Sequence, residues 1–166
     1  AEEAASVQID RLKARLARGR LLLELERPRE ARQLMRETIT DQATTTYSRI
    51  RARVLLGRAF YQAEMPDSAL KTFRKVAEEN ANVQGAESQY FVVRIHYEQG
   101  RPDSAMQGVY YMKDQFRPYA QWLAKAFLIV AEIYVDQGKR LNAMETLKSL
   151  IQNAPNEEIK ATARQR

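Results

Sequence analysis

Cationic side chains recur along this chain at a long and regular spacing. One series has intervals of 38, 36 and 38 residues and is cationic at three of its four positions: Arg20, Arg58, Arg94 and Glu132. A second series lies seven residues earlier, about two helical turns: Lys13, Arg51, Glu87 and Lys125. Tyr61 and Tyr97 follow three residues after Arg58 and Arg94 and add flat surface beside the charge. Because a guanidinium group binds a carboxylate through two hydrogen bonds, these residues suggest a binding surface for an acidic segment or terminal carboxylate.

The same arginines have a second interpretation. Arg20 has Glu24 four residues later, and Arg94 has Glu98 at the same distance, with Glu87 nearby. Residues four apart on a helix are neighbours, so ion pairs within the helices would consume the charge and stabilise the fold instead. The sequence leaves both interpretations open.

Residues suited to catalysis are scarce. His96 is the one histidine and there is no cysteine, so histidine-based triads, disulfides and the usual zinc sites lack their components. Neighbouring glutamates, such as Glu157 and Glu158, point apart on a helix, and no glycine-rich phosphate loop is present. We predict no catalytic residue, no metal site and no cofactor, and we expect His96 to be packed between helices.

An aromatic cluster around Pro118 is the second candidate for a binding site. It consists of Phe116, Tyr119 and Trp122. The alternative is that these rings pack a connecting loop onto the rest of the fold, with Tyr110 and Tyr111 joining them.

The composition is that of a globular domain, with 45% hydrophobic and 29% charged residues in 166. No apolar run approaches the length of a membrane span. The net charge of +6 is uneven: residues 1–60 carry 13 Lys and Arg against 8 Asp and Glu, and the remainder carries 14 against 13. Twelve of those 13 cations are arginine, which favours an acidic partner. A solvated helix face with internal ion pairs is the alternative. The compartment stays open between the cytoplasm and a bacterial periplasm or envelope.

Apolar residues recur at intervals of three and four throughout, which predicts an all-α chain. Gly100 and Gly138 mark helix ends, and Pro66 and Pro102 mark helix starts. We expect helices over residues 4–25, 28–40, 44–63, 66–80, 84–99, 102–116, 119–137 and 140–153. Residues 126–135 are apolar nearly all round, so this helix should be buried on most sides.

The helices repeat in pairs. Four alanines with intervals of 38, 36 and 38 residues occupy one place in each pair: Ala31, Ala69, Ala105 and Ala143. Each is followed four residues later by a bulky apolar residue on the same helix face: Met35, Phe73, Val109 and Leu147. Self-similarity at this period is typical of stacked-repeat proteins. We therefore expect the alanines to be buried where two helices cross closely.

The pattern resembles the tetratricopeptide repeat. The best-matching pair contributes Leu56, Gly57, Phe60, Ala69 and Phe73, and the last contributes Phe127, Ala131, Tyr134, Ala143, Leu147 and Pro155. The resemblance implies a right-handed α-solenoid of about four helix pairs in a single domain over residues 1–166, with repeats at 4–40, 44–80, 84–116 and 119–153. It also implies that the first helix of each pair lines an inner groove where partners bind. The period exceeds the usual 34 residues and is similar to that of tetratricopeptide proteins of the bacterial cell envelope.

A further helix start follows Pro155, where Asn156 precedes acidic residues. Proline returns 37 residues after Pro118, which is again one period. Residues 156–166 are therefore either a capping helix or the beginning of a fifth repeat, and we expect the latter, with the natural chain continuing beyond Arg166.

The function expected from these features is non-catalytic. We predict a scaffold or adaptor that binds a protein or peptide segment, with acidic character favoured, in the groove. Its site residues would be Arg20, Arg51, Arg58, Tyr61, Arg94, Tyr97 and Lys125. Nucleic-acid binding is a weaker alternative, because no repeated polar pair is placed to select one base per repeat. Self-association, as a module of a larger envelope protein, is another.

Overall fold

The computed structural model describes residues 2–166, with side chains from residue 6 onward. Its helices are α1 Glu2–Glu24, α2 Pro28–Thr40, α3 Thr46–Gln62, α4 Pro66–Glu79, α5 Val83–Glu98, α6 Pro102–Gln115, α7 Ala120–Asp136, α8 Arg140–Asn153 and α9 Glu157–Gln165. The described residues contain no strand, which confirms the all-α prediction. Every predicted helix is present with its ends within two residues, and α9 confirms the helix start after Pro155. None of the described helices is long and apolar enough to cross a membrane.

The chain divides after Val76 into two compact units. Residues up to Val76 form unit 1, which contains α1 to α3 and most of α4. Residues from Ala77 form unit 2, which contains α5 to α9. The expectation of a single domain over residues 1–166 stays a prediction.

The four repeat alanines occupy equivalent buried positions. Ala31, Ala69 and Ala105 are fully buried, and Ala143 is 3% exposed. Of the apolar residues four positions later, the first three are buried as well and Leu147 is half-buried. The predicted register of the repeats is therefore confirmed within each unit.

The core of unit 1 forms where α1, α2 and α3 pack on one another. It contains Leu16, Leu23, Met35 and Leu55 among others. The connection from α2 to α3 is held by polar contacts at its two ends, since the Arg49 guanidinium donates to the carbonyl oxygens of Ile39, at 3.1 Å, and Thr44, at 3.0 Å.

Asp41 begins that connection and binds both backbone and side chain. It accepts a hydrogen bond from the Ala43 N–H at 3.0 Å and another from the Arg15 guanidinium at 2.7 Å. The Ala43 hydrogen bond first, and Arg15 second, hold the pKa of the Asp41 carboxyl below its usual value. Arg15 therefore stabilises the connection between α2 and α3 through its ion pair with Asp41.

Unit 2 has two connected cores. Residues of α5, α6 and α7 form the first, around Val93, Met112 and Ile129. Residues of α7, α8 and α9 form the second, around Leu150 and Ile159. The α7 helix belongs to both, which confirms that it is buried on most sides. His96 of α5 is 4% exposed, as expected for a packed histidine.

The turn inside each helix pair contains one residue in the left-handed backbone region. These residues are Glu26 and Glu64 in unit 1, with φ of 55°, and Gly100 and Gly138 in unit 2, with φ of 68° and 72°. In each turn the following N–H donates back into the preceding helix, as from Met65 to the Phe60 oxygen at 3.0 Å. The two glycines confirm the predicted helix ends. The two glutamates adopt the same left-handed conformation, which is sterically unfavourable for a residue with a Cβ atom.

Replacing Glu64 with glycine should stabilise unit 1. Glycine removes the steric cost of the left-handed conformation, and part of that gain is offset by the greater freedom of the unfolded chain. We expect the free energy of unfolding, measured by urea denaturation, to increase by about 0.5–1 kcal/mol. The matched control is Glu145→Gly on the exposed face of α8, which should cost about 1 kcal/mol. Destabilisation by Glu64→Gly would contradict this account of the turn.

Candidate functional site

Unit 2 contains a cavity of about 510 Å³ between α5, α7 and α9. Its walls are Tyr90, Arg94, Tyr97, Glu98, Lys125, Leu128, Ile129, Glu132, Glu158, Ile159, Thr162 and Arg166. We call this cavity the unit 2 groove. Three of the predicted site residues, Arg94, Tyr97 and Lys125, line it together.

Helical spacing explains why these side chains share the groove. On α5, Tyr90, Arg94 and Tyr97 follow one another at intervals of four and three residues, which places them on one face. On α9, Glu158 and Thr162 are four residues apart and lie on one face as well. The neighbouring faces of these helices carry the buried residues of the two cores. Core packing therefore orients the polar faces toward the groove.

Two of the cations in the groove are paired with carboxylates of the chain itself. The Arg94 Nε donates to the Glu98 carboxylate at 2.8 Å, and its Nη1 donates to the Tyr90 hydroxyl at 3.3 Å. Arg166, which directly follows α9, forms an ion pair with Glu132 of α7 across the groove. For Arg94, this is the pairing with Glu98 that the sequence had left open. Its charge is thus balanced within its own helix.

Lys125 and Glu158 are placed differently. Among the described residues, no ion pair involves either of them, although Lys125 is half-buried. The Lys125 ammonium lies 4.8 Å from the centre of the Trp122 ring, a cation–π contact that orients it without neutralising it. The Trp122 ring in turn packs against Tyr90, with ring centres 5.6 Å apart. Of the described residues that line the groove, Lys125 and Glu158 therefore offer a cation and a carboxylate without an ion pair to an incoming molecule.

Tyr97 is fixed at the edge of the groove. Its hydroxyl donates to the Asp136 carboxylate at 2.8 Å. Burial first, and the hydrogen bond to Asp136 second, raise the pKa of the Tyr97 phenol to about 12. The neutral phenol, with its proton directed at Asp136, is thus the form that the fold favours.

This pKa predicts a specific alkaline titration. Because the phenol pKa rises from 10.0 to about 12 on folding, its contribution to stability is complete below pH 10 and is lost between pH 10 and 12. In an absorbance titration of the folded protein, Tyr97→Phe should remove a late-ionising tyrosine. Asp136→Asn should bring that transition closer to pH 10, because it removes the negative charge that accepts the hydrogen bond. Superimposable titrations of all three proteins would refute this assignment.

The other predicted cationic residues lie in unit 1. Arg20 is exposed on α1, whereas Arg58 and Tyr61 are half-buried on α3. The Arg51 guanidinium lies 5.6 Å from the centre of the Tyr47 ring, within its own helix. The expectation that Arg20, Arg58 and Arg94 face one concavity stays a prediction.

The aromatic cluster around Pro118 is mainly a packing feature. Phe116 is 1% exposed and belongs to the core of unit 2. Its ring contacts Tyr111 and Tyr119, with centres 6.0 and 6.5 Å apart, and the Tyr119 hydroxyl donates to the Ala81 oxygen at 3.4 Å. Phe116 is therefore unavailable to a partner, while half-buried Tyr119 and Trp122 keep part of their surface.

Sequence reasoning assigned no site residue to α9, yet this helix forms one wall of the groove. A signal was present, because the second series of positions reaches Lys125 and returns 37 residues later at Thr162. The start of α9 also follows the starts of α5 and α7 at intervals of 37 residues, from 83 to 120 to 157. We expected α9 to begin a fifth repeat, and extending the second series of positions to that helix would have placed Thr162 in the groove.

Comparison with known families agrees with this arrangement. A family model described as tetratricopeptide repeat matches residues 16–83 and 54–120, and a second model with that description matches residues 125–157. No curated protein and no solved structure matches the chain.

Proposed function

The chain belongs to the tetratricopeptide repeat family, and from that premise we propose that it is a non-catalytic scaffold or adaptor that binds a protein segment in the unit 2 groove. Repeats of this family generally mediate interactions between proteins and are generally not catalytic. The observation that carries the proposal is the groove itself, because it brings three predicted site residues of α5 and α7 together in one cavity.

The size and lining of the groove are compatible with a short peptide segment that carries an apolar side chain. A volume of about 510 Å³ lies in the range of ligand-binding cavities. The buried residues Leu128, Ile129 and Ile159 line the groove as an apolar floor, and more exposed charged side chains line it beside them. An apolar side chain of the partner on this floor would contribute about 1.5–3 kcal/mol through burial.

The two unpaired charges define the polarity of the partner. Lys125 would bind a carboxylate of the segment, and Glu158 would bind a cation or an N–H group of it. A charge-assisted hydrogen bond of this kind contributes about 1.5–3 kcal/mol when shielded from water. The ion pairs of Arg94 and Arg166 can stay intact during binding, so the segment need not displace either carboxylate. We therefore propose a partner segment with an apolar anchor beside an acidic residue.

Charge reversal at Lys125 tests the proposal. A peptide ligand is first selected from a displayed random library, and its affinity is measured for the parent, Lys125→Glu and Lys148→Glu. Lys125→Glu should weaken binding about 10-fold or more, since it replaces the attraction for a carboxylate of the segment with a repulsion. Lys148→Glu is the matched control, because Lys148 is exposed on α8 and outside the groove. Equal affinities of the two variants would refute binding in the unit 2 groove.

A further inference from the structure

Three arginines form a row on one face of α2 in unit 1. Arg29, Arg32 and Arg36 are spaced three and four residues apart, so their side chains leave the helix in nearly the same direction. Arg29 and Arg36 are exposed and Arg32 is half-buried. We call these residues the arginine row. At the rise of an α-helix, it spans about 10 Å.

The arginine row is not neutralised by any carboxylate among the side chains that the structure describes. Among the described residues, no ion pair involves Arg29, Arg32 or Arg36. The acidic residues of the same helix are engaged elsewhere: Glu30 accepts two hydrogen bonds from Arg27 at 2.6 and 2.7 Å, and Glu37 accepts one from Gln33 at 3.0 Å. The row differs in this respect from Arg15 and Arg94, each of which contacts a carboxylate.

Two of the three guanidinium groups are held in place by the fold. Those of Arg32 and Arg36 lie 5.7 and 5.5 Å from the centre of the Phe60 ring, and Nη1 of Arg32 is 2.7 Å from the Met65 sulfur. Phe60 is 7% exposed, so the ring is a fixed support. Side chains that are already ordered lose less conformational entropy when they bind.

The charge of the chain is concentrated in the unit that carries the row. Unit 1 has 16 Lys and Arg against 10 Asp and Glu, whereas unit 2 has 11 of each, so the net charge of +6 lies entirely in unit 1. Partners that approach unit 1 therefore experience a positive field, which favours encounter with an anion. The arginine row supplies ordered guanidinium groups that can bind the anion after this encounter.

We propose that the arginine row is a second docking surface, separate from the unit 2 groove, for an acidic helical segment of a partner protein. Carboxylates at intervals of three and four residues on such a helix have the same spacing as the three guanidinium groups, so each can meet one arginine. Each contact is a charge-assisted hydrogen bond, for which the arginine fork is well suited. A nucleic acid strand fits less well, because single-stranded binding uses exposed rings on which bases stack, and the Phe60 ring is buried beneath the guanidinium groups.

The test uses two labelled helical peptides of equal composition. In one, the glutamates repeat at intervals of three and four residues and share one face, and in the other they are scattered around the helix. Fluorescence anisotropy then gives their affinities for the parent, for the triple variant Arg29→Gln, Arg32→Gln, Arg36→Gln, and for a control. The control removes three exposed arginines of unit 2, in the triple variant Arg101→Gln, Arg117→Gln, Arg140→Gln. Circular dichroism confirms that all three proteins fold.

The proposal predicts tighter binding of the aligned peptide and a loss of about 10-fold or more in the arginine-row variant, with a change of less than about 3-fold in the control. Binding should weaken with added salt.

Equal affinity for the two peptides, or an equal loss in the control, would mean a general charge effect and would overturn the proposal. Binding of a mixed-sequence single-stranded RNA that depends on the row, without peptide binding, would overturn it as well. The ligand of the unit 2 groove should bind the row variant normally, so the two proposals can fail separately.

Discussion

Replacing Gly85 with alanine is expected to destabilise the protein by about 3 kcal/mol, although alanine is the better helix former. Gly85 lies in the first turn of α5, where the Asn82 side chain accepts the N–H groups of Gln84 and Gly85 at 3.0 and 3.1 Å. A Cβ atom at this position would overlap the backbone oxygen of Asn80 and come within 2.9 Å of the Phe116 ring. Backbone and a buried ring can yield little, so the start of α5 would have to move.

Two further glycines provide a graded comparison within the same experiment. A Cβ at Gly57 would lie 2.7 Å from the Phe73 ring, so Gly57→Ala should cost about 1–3 kcal/mol. A Cβ at Gly19 would meet the terminal carbon of Met35 at 2.5 Å, and this flexible end can move aside, so Gly19→Ala should cost least. Urea unfolding followed by circular dichroism measures the order. A Gly85→Ala protein as stable as the Gly19→Ala protein would show that the packing at α5 is misjudged.

The second large effect is expected from filling the unit 2 groove. Thr162 is half-buried on α9 and lines the cavity, and a tryptophan there would occupy the space proposed for the apolar anchor of the partner. Thr162→Trp should therefore weaken the selected peptide ligand about 30-fold or more, equivalent to about 2 kcal/mol. Its own stability should change little, because the added ring extends into open space.

The matched control for this variant is Thr146→Trp. Thr146 lines a separate cavity of about 460 Å³ between α7 and α8. Isothermal titration of the peptide into both variants compares the two cavities directly. A larger loss in Thr146→Trp than in Thr162→Trp would transfer the proposed site to the cavity between α7 and α8.

Most of the fold was predictable because it depends on local signals. Apolar residues at intervals of three and four, with proline and glycine at helix ends, determine where helices begin and stop. The regular period of the alanines indicates positions where two helices cross closely and only a small side chain fits. Ala69 and Ala105 are fully buried, as this reasoning predicts. The left-handed turns at Glu26 and Glu64 were less visible, since glutamate rarely adopts that conformation and gives no signal of it.

The candidate site was only partly predictable, because it depends on which charges meet. The sequence predicted that Arg94 and Lys125 lie on the first helices of their pairs. It did not decide whether Arg94 binds a partner or forms an ion pair with Glu98. Only the structure shows that Arg94 contacts Glu98, while Lys125 lies over Trp122 and keeps its charge available. The contribution of α9 depends on how that helix packs on α7 and α8, and its signal in the sequence was the interval of 37 residues between the starts of α7 and α9.

The most direct test of the central claim is to locate a bound partner segment on the protein. Amide resonances of the labelled 19.2 kDa chain are recorded while the selected peptide is added. Binding in the unit 2 groove predicts that the largest shift changes cluster around Arg94, Lys125 and Thr162, on three separate helices. Shift changes confined to Tyr119 and its neighbours, or to the helices of unit 1, would contradict it.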